Sequence, residues 1–207
     1  MTDPDHRHIS IILDRSGSME RVKEDTEGGL RAFLREQHEV QARTTVSLYQ
    51  FDDRYEVVYE NKPLADVPDF ALHPRGTTAL LDAVGRTITR LGDDLADLDE
   101  ARRPGEVVVV ILTDGLENAS SDFSRSRIRE MITHQQEKYR WVFVFLGADQ
   151  DAFAAAGGMG IGPGNALNYT SRNTRESFRS ASSMLRRARA NGGDYSFTQQ
   201  ERDDASG

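Results

Sequence analysis

The residues of this chain best placed for chemistry are oxygen donors. Asp14, Ser16 and Ser18 alternate in Asp14-Arg15-Ser16-Gly17-Ser18-Met19, directly after an apolar run and before a helical pattern. A second carboxylate, Asp114, stands in Thr113-Asp114-Gly115 at the end of the run Val107 to Leu112. Between them, Arg75-Gly76-Thr77-Thr78-Ala79-Leu80-Leu81-Asp82-Ala83 is a glycine-marked loop opening a helix with a threonine. The set suits a hard divalent cation: magnesium takes octahedral oxygen ligands and gives up its waters reluctantly. Ser16 and Ser18 offer two neutral hydroxyls one residue apart, Thr78 offers a third, and Asp14 and Asp114 add negative charge directly or through water. If both carboxylates act through water, the cation keeps its appetite for a carboxylate from outside.

Taken singly, each segment has a plainer explanation. Asp and Ser cap helices where a strand hands over to a helix, and Asp-Gly is ordinary turn chemistry. Their joint occurrence at one expected sheet edge argues for a site. Other clusters read as structural. Arg15 is expected to be a solvated surface residue, with attraction of an acidic partner as the alternative. Glu117 and Asn118 either line the rim of the site or begin a loop. His6 and His8 fit a mobile end and a strand start. The acidic run Asp93, Asp94, Asp97, Asp99 and Glu100 lacks the glycine and spacing of a calcium loop. The arginines 125, 127 and 129, and 186, 187 and 189, read as solvated helix faces. Gly157 to Gly164 lacks the spacing of a dinucleotide loop and follows a helix, so it reads as a flexible connection.

The elements that must position the oxygens follow from periodicity. Strands are expected at His8–Leu13, Thr44–Phe51, Tyr55–Tyr59, Val107–Leu112, Trp141–Leu146 and Ala166–Tyr169. Helices are expected at Met19–Ala42, Thr78–Leu98, Phe123–Tyr139, Asp149–Ala156 and Ser171–Ala190. Asp52-Asp53 reads as the turn of a hairpin, which makes Tyr55–Tyr59 an antiparallel edge strand. Lys62–Gly76 carries three prolines and reads mainly as loop. The alternation implies an α/β, Rossmann-like, doubly wound fold: a mostly parallel six-stranded sheet with one antiparallel edge strand and helices on both faces. The expected order is 3-2-1-4-5-6, with ligands beyond the carboxyl ends of the strands. One domain is expected over residues 8–198, between a tail at 1–7 and a polar, disordered tail at 199–207.

On these residues the chain resembles the von Willebrand factor A (vWA) family. Its metal-ion-dependent adhesion site (MIDAS) combines Asp-x-Ser-x-Ser, a loop threonine and a Thr-Asp-Gly aspartate. The resemblance runs from about His8 to at least Leu146 and matches Asp14, Ser16, Ser18, Thr78 and Asp114. The family's Gly-Gly-Thr is Gly76-Thr77-Thr78 here, so the second glycine is replaced. The following Leu-x-Asp-Ala favours Thr78 as the ligand, with Thr77 as the fallback. The resemblance implies Mg2+ or Mn2+, a protein partner completing the coordination with an Asp or Glu, and no catalysed reaction. Two alternatives stand beside it: a metal-dependent phosphatase or hydrolase, and a metal-free structural relative. Against the phosphatase, Ser16 stands where haloacid-dehalogenase-like enzymes carry their second aspartate. Against a serine hydrolase, neither Ser16 nor Ser18 lies in Gly-x-Ser-x-Gly.

Composition bounds the rest. The chain has 207 residues and a net charge of −8, which argues against general nucleic-acid binding. It has no cysteine, which excludes disulfides and thiolate sites and suits a cytoplasmic setting. Its longest apolar run is far too short to cross a bilayer.

Overall fold

The computed structural model describes residues 1–40, 42–149 and 151–207. Gln41 and Gln150, which fall in two of the expected helices, lie outside the described residues. The sheet is built from β1 (Asp3–Asp14), β2 (Arg43–Phe51), β3 (Tyr55–Pro63), β4 (Pro104–Thr113), β5 (Val142–Ala148) and β6 (Ala166–Tyr169). Its order is β3-β2-β1-β4-β5-β6, with only β3 antiparallel, as the alternation of elements predicts.

Alternation along the central strands divides the core in two. Ile9, Ile11 and Leu13 of β1, with Val108, Val110 and Leu112 of β4, face α1 (Lys23–Gln37) and α5 (Thr174–Ala190). Ile12, with Val107, Val109 and Ile111, faces α2 (Leu80–Ala96), α3 (Arg125–Tyr139) and α4 (Ala152–Gly158). Strands apolar on both sides are what a parallel sheet covered on both faces requires. Among the described residues no helix is long and apolar enough to cross a membrane.

Both expected tails are structured. β1 begins at Asp3, and His6 pairs with Arg43 while Arg7 pairs with both Thr44 and Glu106. As a central strand it is flanked on both sides, so even polar residues there are covered: His6, Arg7 and His8 are all buried. Residues 199–206 form α6 (Gln199–Ser206). Thr198 accepts from the Glu201 backbone and the Glu201 side chain accepts from the Thr198 backbone, a reciprocal cap. Arg202 then donates to the carbonyls of Ala166, Pro163 and Gly164, and Ala205 is buried.

The first helix is shorter than its pattern suggests. Gly17–Val22 is a 3-10 turn and α1 ends at Gln37. In the proline-rich segment β3 runs on to Pro63, a 3-10 turn covers Leu64–Asp66, and Phe70 and Leu72 are buried.

Candidate metal centre

β1 and β4 are neighbours, and Leu13 pairs with Leu112, so both strands stop at the same edge. Asp14 is the last residue of β1 and Asp114 follows the last residue of β4. Asp14 is fully buried, and both of its oxygens are engaged. Oδ1 accepts from the Ser16 backbone at 2.6 Å and Oδ2 from the Thr113 hydroxyl at 2.6 Å. The Ser18 hydroxyl donates to Asp114 Oδ1 at 2.5 Å. It has one proton to give, so in its 3.0 Å contact with Ser16 the Ser16 hydroxyl is the donor. A chain of oxygens thus runs from Ser16 through Ser18 to Asp114.

Thr78 closes the group from a third loop. A Cβ placed on Gly115 would lie 2.9 Å from Thr78 Oγ1, 3.6 Å from Ser18 Oγ and 3.7 Å from Asp14 Oδ2. Three of the predicted side chains therefore surround one small space, kept open because residue 115 has no side chain. Thr78 is buried and Thr77 is exposed, and it is the Thr78 hydroxyl that borders this space. Its backbone is held on both sides by Asn118, whose side-chain oxygen accepts from Thr78 N at 2.9 Å and whose N–H donates to Thr78 O at 3.1 Å. Glu117 accepts from Leu81 N, capping α2 from across the gap, and Asp82 accepts from the backbones of Ser121, Asp122 and Phe123. Glu117 and Asn118 thus form a loop that grips the start of α2.

Arg15 is not a surface residue. Its side chain is 6% exposed and its Nε donates to Asp52 Oδ2 at 2.9 Å, with Nη1 on Glu56 at 2.5 Å and Gln50 at 3.2 Å. Asp52 carries no sequence signal of a role at the site, whereas Thr113 belongs to the Thr-Asp-Gly segment and Asn118 is a candidate for the rim. Each is recruited by the fold across 37 residues or more.

The charges are poised for a cation. Burial pushes the Asp14 carboxyl up to about 6, against the hydrogen bonds from Thr113 and Ser16. Burial also raises Asp114, against Ser18 and Arg21. Asp114 Oδ2 is buried without a hydrogen-bond partner, and the nearest cation, Arg21 Nη2, is 3.8 Å away. Two desolvated carboxylates, one with an orphaned oxygen, beside three hydroxyls fit a divalent cation. Among the described residues no three His, Asp or Glu side chains cluster in a way that could hold a metal, so neutral hydroxyls would have to supply much of the coordination.

No family model matches the sequence, and no curated protein matches it. Solved structures do share the fold. Proximal thread matrix protein 1 from the mussel byssus superposes with a TM-score of 0.65 at 16% identity, over 88% of this chain and 47% of that one. The same protein with a zinc-occupied MIDAS motif gives 0.66 at 15% identity, over 88% and 46%. A von Willebrand factor type A protein from Catenulispora acidiphila gives 0.56 at 13% identity, over 87% and 42%. The chain spans about half the length of these structures. At such identities the likeness is one of fold, and the fold is that of vWA domains.

Proposed function

We propose that this chain is a metal-dependent protein-interaction domain of the vWA type. Ser16, Ser18 and Thr78 would hold Mg2+ or Mn2+, with Asp14 and Asp114 balancing its charge and orienting the hydroxyls and waters around it. The observation that carries this reading is the orphaned, buried Asp114 Oδ2 at the end of the Ser16–Ser18 chain. A buried carboxylate oxygen without a donor is costly, and a cation at this place removes the cost. The zinc-occupied MIDAS of the mussel protein supports a divalent ion on this fold. When bound, the ion would supply a Lewis-acidic face for a carboxylate from outside, so the partner is expected to contribute an Asp or Glu. Asp14 is poorly placed as a phosphoryl-transfer nucleophile, because it is fully buried and no substrate can reach its oxygens without the surrounding loops moving.

Titration calorimetry with Mg2+ and Mn2+ tests the metal. Binding by the native chain, lost in Asp14→Ala and weakened in Ser16→Ala, is the expected result. The absence of binding at millimolar metal by folded protein would end the proposal. Partner capture that survives chelator, or phosphate-ester turnover that depends on Asp14, would overturn the interaction role while leaving the metal site standing.

A further inference from the structure

The loop carrying Asp14, Ser16 and Ser18 and the loop carrying Thr78 have to be held at a fixed distance for any cation to be shared between them. They are tied together by one side chain that belongs to neither. Asp52, fully buried at the turn after β2, accepts on Oδ2 from Arg15 Nε at 2.9 Å and from Arg75 Nε at 2.8 Å. Arg15 stands between Asp14 and Ser16, and Arg75 stands three residues before Thr78. The other carboxylate oxygen accepts from Arg54 N at 2.6 Å, which fixes the turn itself. The Asp52 carbonyl accepts from Ala79 N at 2.8 Å, directly after Thr78. Backbone bonds repeat the connection: Arg75 N donates to Arg15 O at 2.8 Å and Gly17 N to Gly76 O at 3.2 Å. Gly76 lies so close against this turn, at φ +69°, that a Cβ there would meet Asp53 Oδ1 at 2.3 Å.

We propose that Asp52 is a positioning residue for the metal site: by pairing with Arg15 and Arg75 through one oxygen, it sets the spacing between the Ser16–Ser18 loop and Thr78, and so the affinity for the cation. This rests on the metal reading above. Asp52→Asn separates positioning from folding. The amide can still accept from Arg54 N, but its NH2 then faces two guanidinium groups and cannot bridge them. Arg15 keeps Glu56 and Gln50, so no buried charge is stranded, and the half-exposed Arg75 side chain can turn to water.

The test measures Mn2+ and Mg2+ affinity by calorimetry, and the melting temperature without metal, for the native chain, Asp52→Asn, Arg75→Gln and the double variant. Outer-shell partners of metal ligands typically matter 10–100-fold. Each single variant is therefore expected to bind the metal about tenfold more weakly, with melting little changed. The double variant should be no weaker than either single one, because both remove the same bridge. Metal affinity in both single variants equal to that of the native chain would overturn the proposal, as would fully additive losses. If Asp52→Asn does not fold, Arg75→Gln alone decides, since it cuts the same bridge from its exposed end. If the native chain binds neither metal, the site reading itself has failed, and this inference falls with it.

Discussion

Gly115 is the residue on which the site's volume depends. Thr78 Oγ1, Ser18 Oγ and Asp14 Oδ2 all lie within 3.7 Å of the place its Cβ would take. Its φ lies outside the left-handed region, so an alanine Cβ would press on the Thr78 hydroxyl, 2.9 Å away, and not strain its own backbone. Gly115→Ala is expected to melt close to the native chain yet bind Mg2+ about tenfold more weakly. Equal affinity in calorimetry would show that the cation does not use this space. Asp14 makes the same point through pH. With its carboxyl raised to about 6 by burial, the metal-free protein must lose a proton to bind a cation at lower pH. Metal affinity should be flat above about pH 7 and fall as pH drops through 6, with proton release detectable in buffers of different ionisation enthalpy. Affinity independent of pH between 5 and 7 would contradict this. Asp14, Ser16, Ser18 and Asp114 are legible because their types and their places after apolar runs are local facts, while Thr78 follows a proline-rich loop and is picked out by the family resemblance. Asp52 is not legible. Nothing in its own neighbourhood distinguishes it from an ordinary hairpin-turn residue, and its partners are reached only through the folded sheet.

At the scale of elements, the places of the strands are readable from β-branched runs and the antiparallel edge from one tight hairpin, while their order follows from the doubly wound class. At the two ends of the chain the structure departs from what composition predicts, for two different reasons. β1 opens on a polar run, and a polar run predicts exposure; from His6 onward its central place between β2 and β4 buries it. The polar composition of 199–207 predicts disorder, whereas Thr198 and Glu201 form the reciprocal cap that starts a helix. Thr198→Ala removes one half of that reciprocal cap and is expected to cost about 1 kcal/mol. Faster amide exchange confined to α6, with α5 unaffected, is the outcome that places the loss there. Unchanged exchange in α6 would mean that Arg202 and the buried Ala205 hold the helix without its cap.

For the molecule as a whole, two buried groups of β1, His8 at its middle and Asp14 at its end, pull the acid response in opposite directions. His8 is fully buried and its pKa is depressed to about 3, by burial first and by His6 second. The unfolded chain takes up a proton near pH 6.5 that the folded chain refuses, so this contribution to stability is complete above 6.5 and is lost as pH falls toward 3. Asp14 acts in reverse. Its raised pKa favours the metal-free fold at low pH, and that advantage is lost as pH rises from about 4 through 6. A divalent cation keeps Asp14 ionised and removes its term, leaving the histidine exposed in the profile. With metal bound, urea unfolding should therefore lose on the order of 3 kcal/mol to His8 between pH 6.5 and 4. His8→Asn should flatten that slope. A slope unaltered by the substitution would assign the acid response to other groups.

The hydrogen bond between Thr113 and Asp14 joins residues 99 apart in sequence, and the one between Ser18 and Asp114 joins residues 96 apart. Such a site cannot exist until β4 has docked beside β1, one of the slower kinds of event available to a chain, because a long loop must close first. A cation that needs both loops has nothing to hold in the unfolded ensemble and little in a half-formed sheet. It should then act on the exit from the native state and not on the approach to it. Stopped-flow measurements should show the refolding limb superimposing with and without Mg2+, while unfolding slows as metal is added. Refolding accelerated by metal would mean that the two loops meet early, before the strands that carry them are paired.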